Sequence, residues 1–189
     1  MEKEQPLKVF VAHSSIQGLG LFAYQYLPKG KFILPIDDSR EVTQEDPLHP
    51  DQGEYEFHCD YLADDKVVLM KFPERHINHS CDPNAFIHTD QGTRGVYALR
   101  DIHPGEEITL DYSINGYGNS SWQCRCGAQR CRKCVYADFF RLPYEFQVEY
   151  LPILDSWFIQ AYQLQVNSLI KKILNLGPAD GVDPAASRL

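Results

Sequence analysis

The segment from Arg75 to Asn84 carries the most information about the fold, and it reads Arg75-His76-Ile77-Asn78-His79-Ser80-Cys81-Asp82-Pro83-Asn84. Polar residues this dense, between apolar runs, are costly to bury unless they find partners. The adjacent side chains of Asn78 and His79 offer hydrogen-bond donors and acceptors to a polar ligand. Taken alone, however, the segment favours a polar loop that is capped by an Asp-Pro-Asn turn.

A glycine motif lies upstream of this segment, and it reads Gly18-Leu19-Gly20-Leu21-Phe22. Glycines that alternate with apolar residues let a backbone approach a ligand with no Cβ in the way. The motif lacks the third glycine and the helix start of a dinucleotide-binding fingerprint. By itself it is better explained as a tight hairpin.

A third motif lies downstream, where Gly105-Glu106-Glu107-Ile108-Thr109-Leu110-Asp111-Tyr112 is followed by Cys124, Cys126, Cys131 and Cys134. Clustered cysteines in an intracellular chain indicate a metal rather than disulfides. Tetrahedral zinc takes four thiolate or imidazole ligands, and the C-x-C-x4-C pattern supplies three. The fourth ligand is either the nearby Cys134, which would make a local knuckle, or the distant Cys81, which would tie the cysteines to the Asn-His segment.

Short β-type runs bounded by turn residues predict a mainly β fold over the first two thirds of the chain. These runs are 8–11, 31–34, 55–58, 67–70, 85–88, 95–99 and 107–110. Beyond Pro143, apolar residues recur at three- and four-residue steps from Trp157 to Leu174, which predicts an amphipathic helix that ends at 176–178. We expect this helix to pack on the β body, and a partner-binding or dimer helix is the alternative.

The composition is typical of a soluble globular protein, with 189 residues, 43% of them hydrophobic and 23% charged. No apolar run reaches the ~18 residues that span a bilayer, and the start from Met1 to Pro6 has no apolar signal core. We therefore expect an intracellular, cytoplasmic protein with no membrane partner, or a nuclear one in a eukaryotic cell, and export by a route that needs no such segment is the alternative. The tail 177–189 is expected to be disordered, and its end, Ser187-Arg188-Leu189, only loosely matches a peroxisomal address.

The charge is concentrated in one segment. Residues 37–65 hold eleven acidic residues and one base, Arg40, for a net of −10, whereas the whole chain has −8 and the remainder therefore +2. Such a segment suits a basic partner, such as a lysine-rich peptide, and argues against nucleic acid as a direct ligand. A solvated loop that only aids solubility is the alternative.

The order of the three motifs resembles that of a SET domain with its post-SET zinc segment, over roughly residues 7–136. The resemblance implies a β-clip-like fold in which the Asn-His and Tyr112 segments cross in a pseudoknot. The implied division is a SET domain at 7–115 with the acidic segment as its variable insert, and a zinc segment at 116–136. A helical extension at 143–176 would follow.

The same resemblance implies S-adenosylmethionine-dependent methylation of lysine side chains in a basic protein, with histone-like tails or ribosomal proteins as candidates. Tyr112 would be the catalytic tyrosine and Tyr55 the second tyrosine of the lysine channel. Cofactor contacts would come from Gly18, Leu19, Gly20, Arg75, Asn78, His79 and Tyr112. Zinc would be held by Cys81, Cys124, Cys126 and Cys131, which leaves Cys134 as a free thiol.

One departure from the family pattern bears on the product. Leu110 stands where many members carry Phe or Tyr, in the substrate channel, and we hypothesise that it leaves room for a di- or trimethylated lysine. The rival to an enzyme is a catalytically silent, zinc-stabilised module that binds peptides. Asn78, His79, Tyr55 and Tyr112 are all present, which favours the enzyme. The oligomeric state is left open by the sequence.

Overall fold

The computed structural model describes residues 8–176. The segment from Met1 to Pro6 and the tail 177–189, including its expected disorder and its Ser187-Arg188-Leu189 ending, lie outside the described residues. No helix within 8–176 has both the length and the apolar character that crossing a membrane requires.

The β part consists of eleven short strands within the described chain, as the mainly β prediction requires. They are β1 Val9–His13, β2 Leu19–Ala23, β3 Phe32–Pro35, β4 Cys59–Tyr61, β5 Val67–Leu69, β6 Asn78–His79, β7 Ala85–Asp90, β8 Thr93–Ala98, β9 Glu107–Leu110, β10 Ser121–Gln123 and β11 Cys134–Tyr136.

The first sheet brings the sequence motifs together. Its strand order is β1-β2-β9-β6, and β6 runs parallel to β9 with Asn78 opposite Thr109 and His79 opposite Leu110. A parallel pair cannot be closed by a tight turn, so the chain between the two strands must leave and return. It does so through the β7–β8 hairpin. The Asn-His segment therefore lies beside the segment that leads into Tyr112.

The second sheet has the order β3-β8-β7 and is antiparallel throughout. The main hydrophobic core draws members from both sheets, among them Leu21 and Ile108 from the first and Val96 and Ala85 from the second. Two small hairpins complete the β part. One joins β4 to β5 at the end of the acidic segment, and the other joins β10 to β11 around the cysteines.

The C-terminal part is helical, with α1 Tyr144–Tyr150, α2 Ser156–Ala161 and α3 Gln163–Leu176. These helices bury their own cluster of apolar side chains, including Phe139, Phe158 and Val166. The fully buried Asp155 connects the cluster to the β part. Its carboxylate accepts a hydrogen bond from the Thr89 hydroxyl of β7 at 2.9 Å, and its backbone N–H donates to the Asn115 side chain at 2.8 Å.

Two expectations about local structure are wrong. Residues 55–58 were expected as a strand but form a 3-10 turn, Glu56–His58, with the His58 N–H bonded to the Tyr55 carbonyl at 2.9 Å. The aromatic alternation that suggested a strand belongs to exposed side chains, because Phe57 is 74% exposed. The single helix expected from Trp157 is two helices that break at Tyr162. Phe158 and Val166 face the same cluster across the break, so the periodicity does not reveal it.

Candidate active site

The Asn78 side chain joins the glycine motif to the Tyr112 segment. Its amide lies 3.1 Å from the Gln17 carbonyl, 3.0 Å from the Leu19 carbonyl and 2.8 Å from Glu107 Oε1, and it donates to these oxygens. Two of the acceptors belong to the backbone around Gly18, and the third lies in β9. The side chain that was expected to contact a ligand therefore also fixes the path of the glycine loop.

The glycines are required by space and by conformation. A Cβ on Gly20 would lie 2.3 Å from Glu107 Oε1, which is closer than any real contact, and Gly18 has a φ of +50°. Glycine adopts this left-handed backbone conformation without the strain that a side chain would cause. The loop consequently presents backbone, with Leu19 42% exposed beside it. A hairpin does form here, since β1 pairs with β2, so the hairpin interpretation and the binding interpretation are compatible.

Tyr112 lies two residues after the end of β9, and hydrogen bonds fix both its backbone and its hydroxyl group. Its hydroxyl donates to the Ile77 carbonyl at 2.6 Å, and its backbone N–H donates to His79 Nδ1 at 3.1 Å. Since the hydroxyl hydrogen is used by Ile77, the oxygen is left to accept. Burial of the hydroxyl, with help from the negative charges of Asp60 and Glu107, raises the pKa of Tyr112. The residue as a whole is 44% exposed, so the burial concerns its hydroxyl end rather than the ring edge.

The His79 ring links Tyr112 to the cysteines. Because Nδ1 accepts from Tyr112, the neutral ring carries its hydrogen on Nε2, which lies 3.4 Å from Cys81 Sγ. Burial lowers the pKa of His79 to about 4, so the ring is neutral at physiological pH. The side chain that was expected to contact the cofactor is 6% exposed, and it acts from behind the Tyr112 backbone.

Four cysteines form a group that could hold a metal ion. The Sγ atoms of Cys81, Cys124, Cys126 and Cys131 all lie within 4.8 Å of one another, and that of Cys81 lies 3.7 Å from that of Cys124. Tetrahedral zinc with bonds of ~2.3 Å to sulfur requires sulfurs roughly 3.8 Å apart. The group thus fits zinc after adjustments of well under an ångström per sulfur.

Backbone N–H groups point at these sulfurs, as thiolate ligands require. The Cys81 N–H donates to Cys126 Sγ at 3.5 Å, the Cys126 N–H donates to Cys124 Sγ at 3.5 Å, and the Arg132 N–H donates to Cys81 Sγ at 3.4 Å. Cys134, the alternative fourth ligand, is exposed in β11 and lies outside the group. The folded chain therefore connects the cysteine segment to the Asn-His segment rather than forming a local knuckle.

Two expected site residues are not drawn into this network. Tyr55 is 42% exposed and stacks on Phe57, with ring centroids 5.2 Å apart, rather than meeting Tyr112. The Arg75 Nε is buried without a hydrogen-bond partner among the described residues, and its charge lies near His58 and His76. Leu110, the last residue of β9, is buried in the main core two residues before Tyr112.

Trp122 is a candidate site residue that the sequence did not suggest. Its ring centroid lies 5.4 Å from that of His79 and 5.9 Å from that of Tyr112. The only available signal was its position two residues before Cys124, and that position has meaning only if the cysteines fold back onto the Asn-His segment. Glu107 accepts hydrogen bonds from the Asn78 amide and the Ser14 hydroxyl, and the sequence did not suggest this residue either.

More than half of the acids in the acidic segment are paired with basic side chains. Six of its eleven acids form ion pairs, which are Asp37 with Lys71, Asp38 and Asp60 with Arg94, Glu41 with Lys66, and Asp46 and Glu54 with Arg40. The remaining five are exposed and have no ion-pair partner among residues 8–176. They are Glu45, Asp51, Glu56, Asp64 and Asp65.

This arrangement is a mainly β fold in which a glycine loop, a tyrosine and a four-thiol group meet. The SET domain family matches residues 18–113, just over half of the 189 residues. The chain therefore belongs to the SET domain family. The resemblance drawn from the motif order is confirmed.

Curated relatives carry a common description. The chain is 34% identical over 145 residues to a histone-lysine N-methyltransferase, H3 lysine-36 specific, of Candida albicans, covering 70% of this chain and 17% of that protein. It is 32% identical over 140 residues to the histone-lysine N-methyltransferase Set2 of Drosophila melanogaster, covering 67% and 6%. The chain thus spans about a sixth or less of the length of these relatives.

One solved structure supports the fold. The crystal structure of KRYPTONITE in complex with mCHG DNA and SAH covers 71% of this chain and 30% of that chain, with a TM-score of 0.52 and 24% identity. At this identity the likeness concerns the fold alone.

Proposed function

We propose that this chain is a protein-lysine N-methyltransferase that uses S-adenosylmethionine and carries zinc in its cysteine group. The observation that carries the proposal is the convergence of three motifs. The Asn78 amide bonds the glycine loop, His79 lies against Cys81, and both residues pair with β9, the strand that leads into Tyr112. Family membership and relatives named as histone-lysine methyltransferases support it.

The cofactor site in this proposal is formed by Gly18, Leu19, Gly20, Asn78, His79 and Tyr112, with Arg75 nearby. The exposed backbone at Gly18 would receive the polar methionine end, since nothing lies within 4 Å of the place where a Cβ would stand there. Trp122 adds an aromatic face next to His79, on which a flat purine ring can stack. Zinc, held by Cys81, Cys124, Cys126 and Cys131, would have a structural role, because four protein ligands close the coordination sphere.

The chemistry needs little acid–base help. S-adenosylmethionine would supply an electrophilic methyl group, with the lysine Nζ as acceptor and S-adenosylhomocysteine as the leaving group. A free lysine has a pKa of ~10.4, so its proton must leave to solvent first, and a narrow channel beside a positive sulfonium favours that loss. Tyr112 stays protonated because its pKa is raised, and so it does not act as the base. Its oxygen would accept from N–H and polarised C–H groups and so orient the reacting atoms, and alignment of this kind contributes ~7–11 kcal/mol at best.

The test of the proposal is transfer of radiolabelled methyl groups from S-adenosylmethionine to histones and to a basic cell extract. Label on a protein band supports the enzyme and identifies its substrate. A zinc-loaded protein that transfers no label and binds no S-adenosylhomocysteine in a calorimeter would contradict it, and would support the silent peptide-binding module instead. A histone substrate would require access to chromatin, and the cytoplasmic location stays a prediction.

The substrate in this proposal is a basic, histone-like or ribosomal protein that contacts the acidic segment, with Tyr55 lining the approach. Replacing the unpaired acids Glu45, Asp51 and Glu56 by their amides should raise the KM for a lysine-rich peptide about fivefold at low salt, because three exposed charges at ~0.3 kcal/mol each sum to ~0.9 kcal/mol. Steady-state kinetics at low and high salt measures this, and the effect should shrink in salt.

A matched control for this variant comes from the same segment. Asp64 and Asp65 are also exposed and unpaired, but their charges act on Tyr162 of the C-terminal helices. The Asp64→Asn/Asp65→Asn variant should leave the KM unchanged. Equal effects of both variants, or a parallel loss of cofactor affinity in the first, would mean that the acids act through the fold and not through substrate contact.

Leu110 makes a prediction about the product. The side chain is shorter than the Phe or Tyr common at this position, and we expect the channel to accept a lysine that already carries a methyl group. Mass spectra of a peptide substrate at completion should contain di- or trimethyl-lysine. Accumulation of monomethyl-lysine alone would contradict the hypothesis.

A further inference from the structure

Arg132 lies in the cysteine loop, residues 124–134, and its side chain contacts the residues on either side of Tyr112. Its guanidinium donates to both oxygens of Asp111, from NH1 to Oδ2 at 2.6 Å and from NH2 to Oδ1 at 2.8 Å. It also donates from NH2 to the Ser113 hydroxyl oxygen at 3.1 Å. Asp111 and Ser113 are the two neighbours of Tyr112 in sequence. The Arg132 side chain thus holds the side chains of the residues on both sides of this tyrosine.

This ion pair is enclosed. Asp111 is 3% exposed and its side chain is fully covered, while 9% of the Arg132 side chain is exposed. A carboxylate and a guanidinium that are both removed from water depend strongly on each other, because the loss of either leaves an uncompensated buried charge. The planar fork of arginine matches a carboxylate in a way that the single ammonium group of lysine cannot.

The helical extension covers the same loop from the other side. The Phe146 ring of α1 lies 4.2 Å from Arg130 Cζ and 5.4 Å from Arg132 Cζ, within the range of cation–π contacts. Glu149, one helical turn further, accepts from Arg130 NH1 at 3.0 Å and NH2 at 2.6 Å. Two of the three arginines between Cys124 and Cys134, Arg130 and Arg132, therefore contact α1.

We infer that Arg132 is a positioning residue, through which the cysteine loop and α1 hold the backbone of Tyr112 in its reactive place. The inference rests on the proposed methyltransferase function. It assigns the helical extension a part in the site, since α1 contacts Arg132, Arg132 holds Asp111 and Ser113, and these flank Tyr112. The hydroxyl of Tyr112 is thereby kept against the Ile77 carbonyl.

The test compares Arg132→Lys with Arg100→Lys in the full, zinc-loaded chain. Arg100 forms an exposed ion pair with Glu106 away from the cysteine loop, and so provides a matched control. Arg132→Lys should lower kcat about tenfold or more with the peptide KM changed less than twofold, because misplacement of a reacting group affects turnover rather than binding. Arg100→Lys should change neither. A kcat for Arg132→Lys within twofold of wild type overturns the inference.

A second readout does not depend on activity. The link joins the cysteine loop to the β part, so zinc transfer to an excess of chelator should be about tenfold faster in Arg132→Lys than in Arg100→Lys. Glu149→Gln weakens only the exposed ion pair with Arg130. It should also lower kcat and speed zinc transfer, each by a smaller factor than Arg132→Lys does. If wild type transfers no methyl group, the proposed function fails, whereas equal zinc-loss rates in the two arginine variants overturn the inference separately.

Discussion

Replacement of Tyr112 by phenylalanine is expected to reduce kcat by about 100-fold, equivalent to ~2.7 kcal/mol of transition-state stabilisation. The substitution removes one oxygen, whose hydrogen is engaged by the Ile77 carbonyl and whose lone pairs are left to accept. Cofactor affinity should change little, because the backbone bond to His79 and the ring contact with Trp122 remain. Single-turnover methyl transfer and calorimetric titration with S-adenosylhomocysteine measure the two quantities.

Tyr117 supplies the control for this variant. It is exposed to a similar degree, 54%, and its ring packs on Tyr162 of the C-terminal helices, with centroids 4.4 Å apart. Tyr117→Phe should keep wild-type turnover. If Tyr112→Phe transfers methyl groups within threefold of the wild-type rate, the hydroxyl has no catalytic part, and the proposed role of Tyr112 is wrong.

Replacement of Cys81 by serine should abolish stable zinc binding and unfold the cysteine segment. Structural zinc sites contribute on the order of 10 kcal/mol, and most of this is lost with one thiolate. Because His79 and Arg132 both bond to Cys81 Sγ, the damage should extend to Tyr112, and methyl transfer should be lost. Zinc content by mass spectrometry, thermal unfolding and activity should fall together.

Cys134→Ser provides the matched control, since Cys134 is exposed and lies outside the sulfur group. It should keep about one zinc per chain and the wild-type unfolding temperature. Zinc retained by Cys81→Ser but lost by Cys134→Ser would reverse the assignment and restore the local knuckle that the spacing of the cysteines alone also permits.

Sequence reasoning succeeded where the pattern is local, as with the β-type runs that form strands. The thiols come together in one group that could hold a metal, and their role as zinc ligands stays a prediction. The motif order was enough to identify the family, which the match over residues 18–113 confirms. It failed at 55–58, where exposed aromatics imitated the alternation of a strand, and at Tyr162, where two helices share one buried face.

The network around Tyr112 could not be read from the chain, because its members are distant in sequence. Ile77 and Tyr112 meet only after β6 pairs with β9, and Trp122 approaches His79 only after the cysteine segment folds back. The contacts of α1 with Arg130 and Arg132 depend on how the helical cluster packs. Packing is set by the shapes of side chains that meet in the folded protein, which a local sequence pattern does not reveal.

The sequence by itself determined the inventory of chemical groups, their order along the chain and hence the family. The tertiary structure decided which groups meet. It placed Cys81 rather than Cys134 in the four-thiol group, stacked Tyr55 on Phe57, and paired six of the eleven acids with four basic side chains. The physical reason is that hydrogen bonds, ion pairs and metal coordination act over a few ångströms. These partners are tens of residues apart in the sequence, and they come within that range only when the chain folds and β6 pairs with β9.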